Sequence, residues 1–296
     1  MAFRHIHFIV NPASDKKEPI LYYINQVFND SGVDWDLSII KKNQTAGDIA
    51  KTLIGKTDLI AVYGGDGCVT TVASVLHGTN TPMAIIPGGT ANVMAKELGI
   101  PAGTQKALEL LKSDKMELKA IDMGLMNRHP FLLRVNLGIM ADMVLDADRE
   151  LKNNIGQLAY GVTAVKTIAD AKQMKYHLEI DGKIIEEKGV CLTVTNCGNI
   201  GIGDFMLQPG ISISDGLLDL ILMEDNDIAS ILKIAANTAL QHETTALKHW
   251  KCKKVVITLD EAQTFICDDA AQTAKELSIS ISPASIRIAA PAEAAV

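Results

Sequence analysis

Gly64-Gly65-Asp66-Gly67 follows directly on the apolar run Leu59-Ile60-Ala61-Val62. Three glycines let a chain leave a buried strand sharply and approach a ligand closely, because no Cβ stands in the way. The one side chain they frame is a carboxylate, suited to a magnesium–phosphate complex or to a proton in transit. A second unit of the same texture comes next: Met83-Ala84-Ile85-Ile86, then Pro87-Gly88-Gly89-Thr90, then a helix-like stretch from Ala91. Thr90 is placed to cap that helix, and Gly88-Gly89 would expose its free N–H groups to phosphate oxygens. Either loop alone could be a tight strand–helix turn with nothing bound. Two of them in adjacent units describe a phosphate-handling cleft. Neither loop has the G-x-x-x-x-G-K-[ST] spacing, which excludes a Walker-type site. The lack of G-x-G-x-x-G disfavours a dehydrogenase-type dinucleotide fold.

Other chemistry-bearing residues are sparser. Ser214-Asp215-Gly216-Leu217-Leu218-Asp219 reads either as a turn entering a strand or as a loop in which Asp215 joins carbonyls and waters around a hard cation. His5 and His7 share a strand face but have no third ligand nearby in sequence, so they read as structural. No G-x-S-x-G elbow marks a serine nucleophile.

The elements that must position these loops alternate. His5–Val10 reads as a strand ending at Asn11-Pro12, Ile20–Phe28 as an amphipathic helix, and Trp35–Ile40 as a second strand. A helix over Thr45–Ile54 has Thr45 as N-cap, with Asp48 three residues on as capping partner. Leu59–Tyr63 and Met83–Ile86 are continuous apolar strands of the kind covered on both faces. Helices follow at about Val69–His77, Ala91–Leu98 and Gln105–Lys112. This alternation predicts an α/β domain with a doubly wound, mostly parallel sheet, its ligand at the carboxyl ends of the strands. After about residue 125 the texture becomes strand-rich. Strands are expected at Phe131–Leu137, Tyr176–Ile180, Val190–Thr195, Leu217–Met223, Lys254–Leu259, Thr264–Cys267 and Leu277–Ile281, with a hairpin turn at Asp181-Gly182. Helices are expected over Asp146–Ala171 and Asp227–Thr238. The division is therefore 1–125, the α/β domain, and 126–296, a β-rich antiparallel, sandwich-like domain. The last strand is free to return to the first domain, and the cleft falls between the two.

Composition narrows the function classes. At 296 residues, 48% apolar and 21% charged, the chain can build two ordinary domains. Only 4% of residues are aromatic and the net charge is −7, without a basic run; both argue against nucleic acid as partner. Five scattered cysteines and no signal-peptide pattern are read as reduced thiols in a cytoplasm. No apolar stretch reaches the roughly 18 residues of a membrane span, so any lipid would be met at a membrane surface or in a pocket. Oligomeric state is open, a homodimer included.

In six ordered segments the chain resembles the diacylglycerol kinase catalytic-domain family, which includes bacterial soluble lipid kinases and sphingosine kinases. These segments are Asn11-Pro12, Thr45-x-x-Asp48-Ile49-Ala50, Gly64-Gly65-Asp66-Gly67, Pro87-Gly88-Gly89-Thr90-Ala91-Asn92, Asn136-Leu137-Gly138-Ile139-x-Ala141-Asp142 and Asp215-Gly216-x-Leu218-Asp219. The resemblance implies ATP-dependent phosphorylation of a lipid hydroxyl (diacylglycerol or a related lipid alcohol), with Mg²⁺ as cofactor. By position it implies nucleotide contacts from Asn11, Thr45, Gly64, Gly65, Asp66, Gly67, Cys68, Gly88, Gly89 and Thr90. It also implies a structural magnesium at Ser212, Asp215 and Leu217, the first and last through backbone carbonyls.

The chain departs from the family pattern in three places. Cys68-Val69-Thr70-Thr71 stands where the family continues T-x-N-E after its signature, and Ser14-Asp15 replaces S-G near the first strand. The C-terminal D-G-E, whose Glu is the family's general base, aligns with Asp268-Asp269-Ala270. The base would then be Asp269 or Asp268 acting from a shorter side chain, beside Asp66 as the other catalytic acid. Two further readings stay open: a nucleotide-binding protein with weak or no kinase activity, and an NAD kinase relative sharing the G-G-D-G loop.

Overall fold

The apolar runs that flank the glycine loops become fully buried strands, and the rest of the first unit is built around them. In the computed structural model the described residues are 3–139, 141, 172–200, 206–224 and 247–292. The chain divides into two units, one of Met1–Met123, Asn199–Asp204 and Ser282–Val296, the other of Gly124–Gly198 and Phe205–Ile281. The expected helices over Asp146–Ala171 and Asp227–Thr238 lie outside the described residues.

In the first unit, β1 (His5–Val10), α1 (Ile20–Phe28), β2 (Asp34–Ile39), α2 (Ala46–Leu53), β3 (Leu59–Gly64), α3 (Asp66–Leu76), β4 (Met83–Pro87), α4 (Val93–Glu97) and α5 (Thr104–Leu110) alternate along the chain. The strands are parallel in the order β2-β1-β3-β4, the doubly wound arrangement expected of the alternation. Every residue of β3 and β4 is buried, which is why both read as unbroken apolar runs rather than as alternation. Helix α1 packs on α5, and α2 on α3. The second pair meets at Gly47, where a Cβ would stand 2.9 Å from the Thr71 carbonyl oxygen.

β5 (Met116–Met126), which the sequence reading missed, carries the chain into the second unit. There follow β6 (His129–Phe131), β7 (Arg134–Gly138), β8 (Met174–Ile180), β9 (Lys183–Gly189), β10 (Cys191–Thr195), β11 (Leu218–Met223), β12 (Leu247–Cys252), β13 (Lys254–Cys267) and β14 (Ala270–Pro291). β14 returns to the first unit, where Ile288 and Ala289 pair in parallel with Met83 and Ala84 of β4.

Within the second unit the ladders are antiparallel: β12-β11-β10-β7-β13-β14, with β8 and β9 added through β13. The register of β13 shifts between Thr258 and Gln263. On one side of that irregularity it pairs with β8, and on the other with β7. One long strand thus serves two ladders, where the sequence suggested two short strands. The core between them includes Phe131, Val135, Tyr176, Leu192, Leu220 and Phe265.

Gly138 ends β7 at φ +71°, where a Cβ would stand 2.3 Å from the Val190 carbonyl oxygen. Gly182 in the β8–β9 turn has φ +83° with nothing within 4 Å of a Cβ. Gly182→Ala is therefore expected to cost only the left-handed backbone penalty, about 1 kcal/mol. Gly138→Ala adds a backbone collision and is expected to cost at least about 3 kcal/mol. Urea unfolding of the two variants side by side measures the difference.

Candidate functional site

The two glycine loops lie against each other because β3 and β4 are register neighbours, Gly64 opposite Pro87. The Gly88 N–H donates to the Gly64 carbonyl at 2.9 Å, one step beyond the ladder. A Cβ on Gly89 would stand 2.5 Å from Cα of Gly65, and one on Gly88 3.1 Å from the Gly64 nitrogen. These glycines are thus required first by the contact of one backbone with the other.

Asp66 is the first residue of α3, which begins earlier than the pattern of apolar residues suggested. Its carboxylate Oδ1 accepts the backbone N–H of Val93, the first residue of α4, at 2.7 Å. One acid therefore sits at the N-termini of two helices, where negative charge is favoured. Asn92, at φ +48°, is the N-cap of α4; its side chain closes back on the loop by accepting from Gly89 N–H and donating to the Gly89 carbonyl. The expected cap from Thr90 does not form. The left-handed turn at Asn92 starts the helix two residues later, and the Thr90 hydroxyl donates instead to Asp15 at 2.5 Å.

The remaining residues of this loop cluster fall around it. Asn11 donates its amide to the Cys68 thiol at 3.3 Å. The Ser14 hydroxyl is buried and has no hydrogen-bond partner, and a Cβ on Gly88 would stand 3.0 Å from it. Lys16, which the sequence reading did not single out, donates to the carbonyls of Pro87 at 2.9 Å and Ala102 at 2.6 Å. A cation therefore lies under the second loop; its only sequence signal was a lysine shortly after Asn11-Pro12. Thr45 and Asp48 form the full capping box of α2. The Thr45 hydroxyl accepts from Asp48 N–H and donates to its carboxylate at 2.8 Å. The Thr45 backbone N–H, donating to the same carboxylate at 2.8 Å, and after it the Thr45 hydroxyl hold the Asp48 carboxyl below its ordinary value. An orphaned buried hydroxyl, helix N-termini and two glycine loops packed side by side fit an oxyanion such as phosphate.

In the second unit, Asp268 and Asp269 form the two-residue turn between β13 and β14, Cys267 pairing with Ala270. Asp268 has φ +49°. Its carboxylate accepts from the backbone N–H groups of Leu132 at 2.9 Å, Leu133 at 2.8 Å and Arg134 at 3.1 Å. Burial pushes this carboxyl up to about 6, against the pull of those three donors. Asp269 and Ala270 are exposed. Asn136, from the fifth motif, is buried and accepts from the Thr193 hydroxyl at 2.9 Å; Asp142 lies outside the described residues.

The segment carrying Ser212, Asp215 and Leu217 is closed by its own hydrogen bonds. Asp215 Oδ1 accepts from Leu217 N–H at 3.1 Å, and Ser212 Oγ from Ser214 N–H at 3.3 Å. Asp215 Oδ2 is held at 2.7 Å by the ammonium of Lys251. With a protein cation already on the carboxylate, this donor set fits magnesium poorly, because the metal would face the Lys251 ammonium across the same carboxylate. Among the described residues, no group of three or more His, Cys, Asp or Glu side chains could hold a metal.

Residues 5–126 match the diacylglycerol kinase catalytic domain, and residues 134–290 match the YegS C-terminal NAD kinase beta sandwich-like domain. The chain belongs to the diacylglycerol kinase catalytic-domain family, a family of kinases. It is 27% identical over 270 residues to the diacylglycerol kinase of Bacillus subtilis, covering 87% of each chain. It is 30% identical over 241 residues to an uncharacterized protein of Synechocystis, covering 79% of this chain and 55% of that relative, so it spans about half that relative's length. A crystal structure from Bacillus anthracis shares the fold at a TM-score of 0.83, with 23% identity over 97% of this chain and 98% of that one. Another, of a diacylglycerol kinase from the same organism, has a TM-score of 0.79 at 20% identity over 100% of both.

The raised pKa of Asp268 has a consequence for stability whose sign can be measured. Between the ordinary carboxyl value of 3.8 and about 6, the folded protein holds a proton that the unfolded chain releases. Stability from this group is present in full below 3.8 and is lost as pH rises through 6, by at most about 3 kcal/mol. Denaturant unfolding from pH 4 to 7 is expected to show this falling component in the parent protein and not in Asp268→Asn. That variant is also less stable throughout, because an amide nitrogen cannot accept from a backbone N–H.

Proposed function

We propose that the protein is an ATP- and Mg²⁺-dependent kinase that phosphorylates the hydroxyl of a lipid, diacylglycerol or a related lipid alcohol. The observation that carries this reading is the double glycine loop, with Asp66 anchored between two helix N-termini and an unpartnered Ser14 hydroxyl beside it. Backbone N–H groups of such loops bind phosphoryl oxygens without reorganising during transfer. Asn11, Thr45, Gly64, Gly65, Gly67, Cys68, Gly88, Gly89 and Thr90 are the proposed nucleotide-side residues. Lys16 adds a fixed positive charge beneath the Pro87–Gly88 turn. Magnesium arriving with the nucleotide would supply charge neutralisation on the phosphate oxygens. Asp66 has one oxygen oriented by Val93 N–H, which fixes the direction in which the carboxylate faces. Asp269 is the proposed acceptor of the lipid hydroxyl proton, because the carboxylate of Asp268 is committed to three backbone donors.

A second reading, a nucleotide-binding protein with weak transferase activity, is favoured by two observations. The position of the family's base is an exposed alanine, Ala270, and the Thr90 hydroxyl is engaged by Asp15.

Incubation with labelled ATP and Mg²⁺, with diacylglycerol and NAD offered in parallel, separates the readings. Phosphorylated lipid and unmodified NAD are expected. Asn at position 66 can still accept from Val93 N–H, so Asp66→Asn should fold, bind nucleotide and lose at least about 10²-fold in turnover. Asp269→Asn is expected to lose about 10²- to 10⁴-fold. Nucleotide binding by calorimetry with no product from any lipid alcohol would leave the second reading standing instead.

A further inference from the structure

Strand β12 was invisible in the sequence, and it delivers two basic side chains to one buried acid. Its antiparallel register with β11 places Lys251 opposite Asp219 and His249 opposite Ile221. Residues two apart on a strand share a face, so His249 and Lys251 lie on the same side. His249 Nε2 is 2.6 Å from Asp219 Oδ1, and Lys251 Nζ is 4.0 Å from the same oxygen. Asp219 is completely buried, and its Oδ2 has no hydrogen-bond partner. A buried carboxylate of this kind needs compensating positive charge nearby.

Lys251 also reaches the turn ahead of β11. Its ammonium donates to the Gly210 carbonyl at 2.9 Å and to Asp215 Oδ2 at 2.7 Å. It thus ties together a backbone oxygen, the motif aspartate and the charge of the buried aspartate. These are the tasks a hard cation performs in a loop of this composition: gathering a carbonyl and carboxylates that would otherwise repel or stay unsatisfied. A divalent metal on Asp215 would stand beside the Lys251 ammonium, a like charge 2.7 Å from Oδ2, so the two compete for one carboxylate.

We propose that the Lys251 ammonium is the built-in structural cation of the segment from Gly210 to Asp219, and that this segment needs no divalent metal. The proposal does not rest on the kinase reading, since it concerns the cation that holds this turn in either case. It leaves untouched any magnesium that accompanies a nucleotide.

The test is thermal unfolding of the whole chain without nucleotide, in EDTA and in an excess of Mg²⁺. The parent protein is expected to melt at the same temperature in both. Lys251→Met is expected to melt at least about 3 °C lower, and Lys251→Arg to recover most of the loss. A parent melting temperature that rises with Mg²⁺ would show that the metal is the cation and overturn the proposal. So would Lys251→Met melting like the parent. Should Lys251→Met fail to fold, the parent comparison in EDTA and Mg²⁺ still decides. Neither outcome depends on phosphoryl transfer, so failure here is distinguishable from failure of the proposed activity.

Discussion

The closest constraint in the first unit is the backbone contact between the two glycine loops. Adjacent parallel strands sit a little under 5 Å apart, and chains leaving two of them at the same level have room to turn side by side only if neither carries a Cβ inward. Gly65 and Gly89 meet this demand, and the Gly88–Gly64 hydrogen bond extends the ladder one step past the strands. Both following helices then start at a defined height. Asp66 on the first can consequently reach the N-terminus of the second. The same contact therefore determines which N–H groups are left facing outward and where the carboxylate points.

Most of this was legible because its signals are local. Apolar runs of β3 and β4 flanked by glycine imply buried parallel strands, and the Thr45–Asp48 spacing implies the capping box that forms. Where local and nonlocal demands competed, the sequence pattern misled. Thr90 is a good N-cap by type, yet Asn92 adopts the left-handed conformation and starts α4 later, releasing Thr90 to Asp15. β13 looked like two strands because its irregularity at 258–263 breaks the alternation, although the chain continues through it. β5 and β12 escaped notice because neither shows clean alternation, and most of β12 is only partly buried.

Several acids among the described residues act on backbone N–H groups. Asp58 accepts from Arg4 and His5, Asp181 from Lys253 and Lys254, Asp122 from Ala284, and Asp268 from three residues in a row. A carboxylate that satisfies buried donors stabilises the turn that presents them, and such a position is kept whether or not chemistry happens there. This explains why motif position alone could not divide Asp268 from Asp269 as a base. The partners of Asp268 lie some 135 positions away in sequence, and no spacing rule reports on them.

The same argument in reverse applies to the basic residues. Lysines placed on carbonyl oxygens, Lys16 on Pro87 and Ala102 and Lys251 on Gly210, supply positive charge from inside the chain at two turns. At the first, the charge lies on carbonyls beneath the glycine loop, so it would add to the attraction for the phosphate proposed there without occupying its place. At the second, the ammonium sits directly on the carboxylate, so it competes with any added cation for the same oxygen. Identical chemistry would therefore favour the proposed anion at one turn and oppose a metal at the other. The difference lies in whether the lysine's acceptor is a carbonyl behind the site or the ligand-binding carboxylate itself.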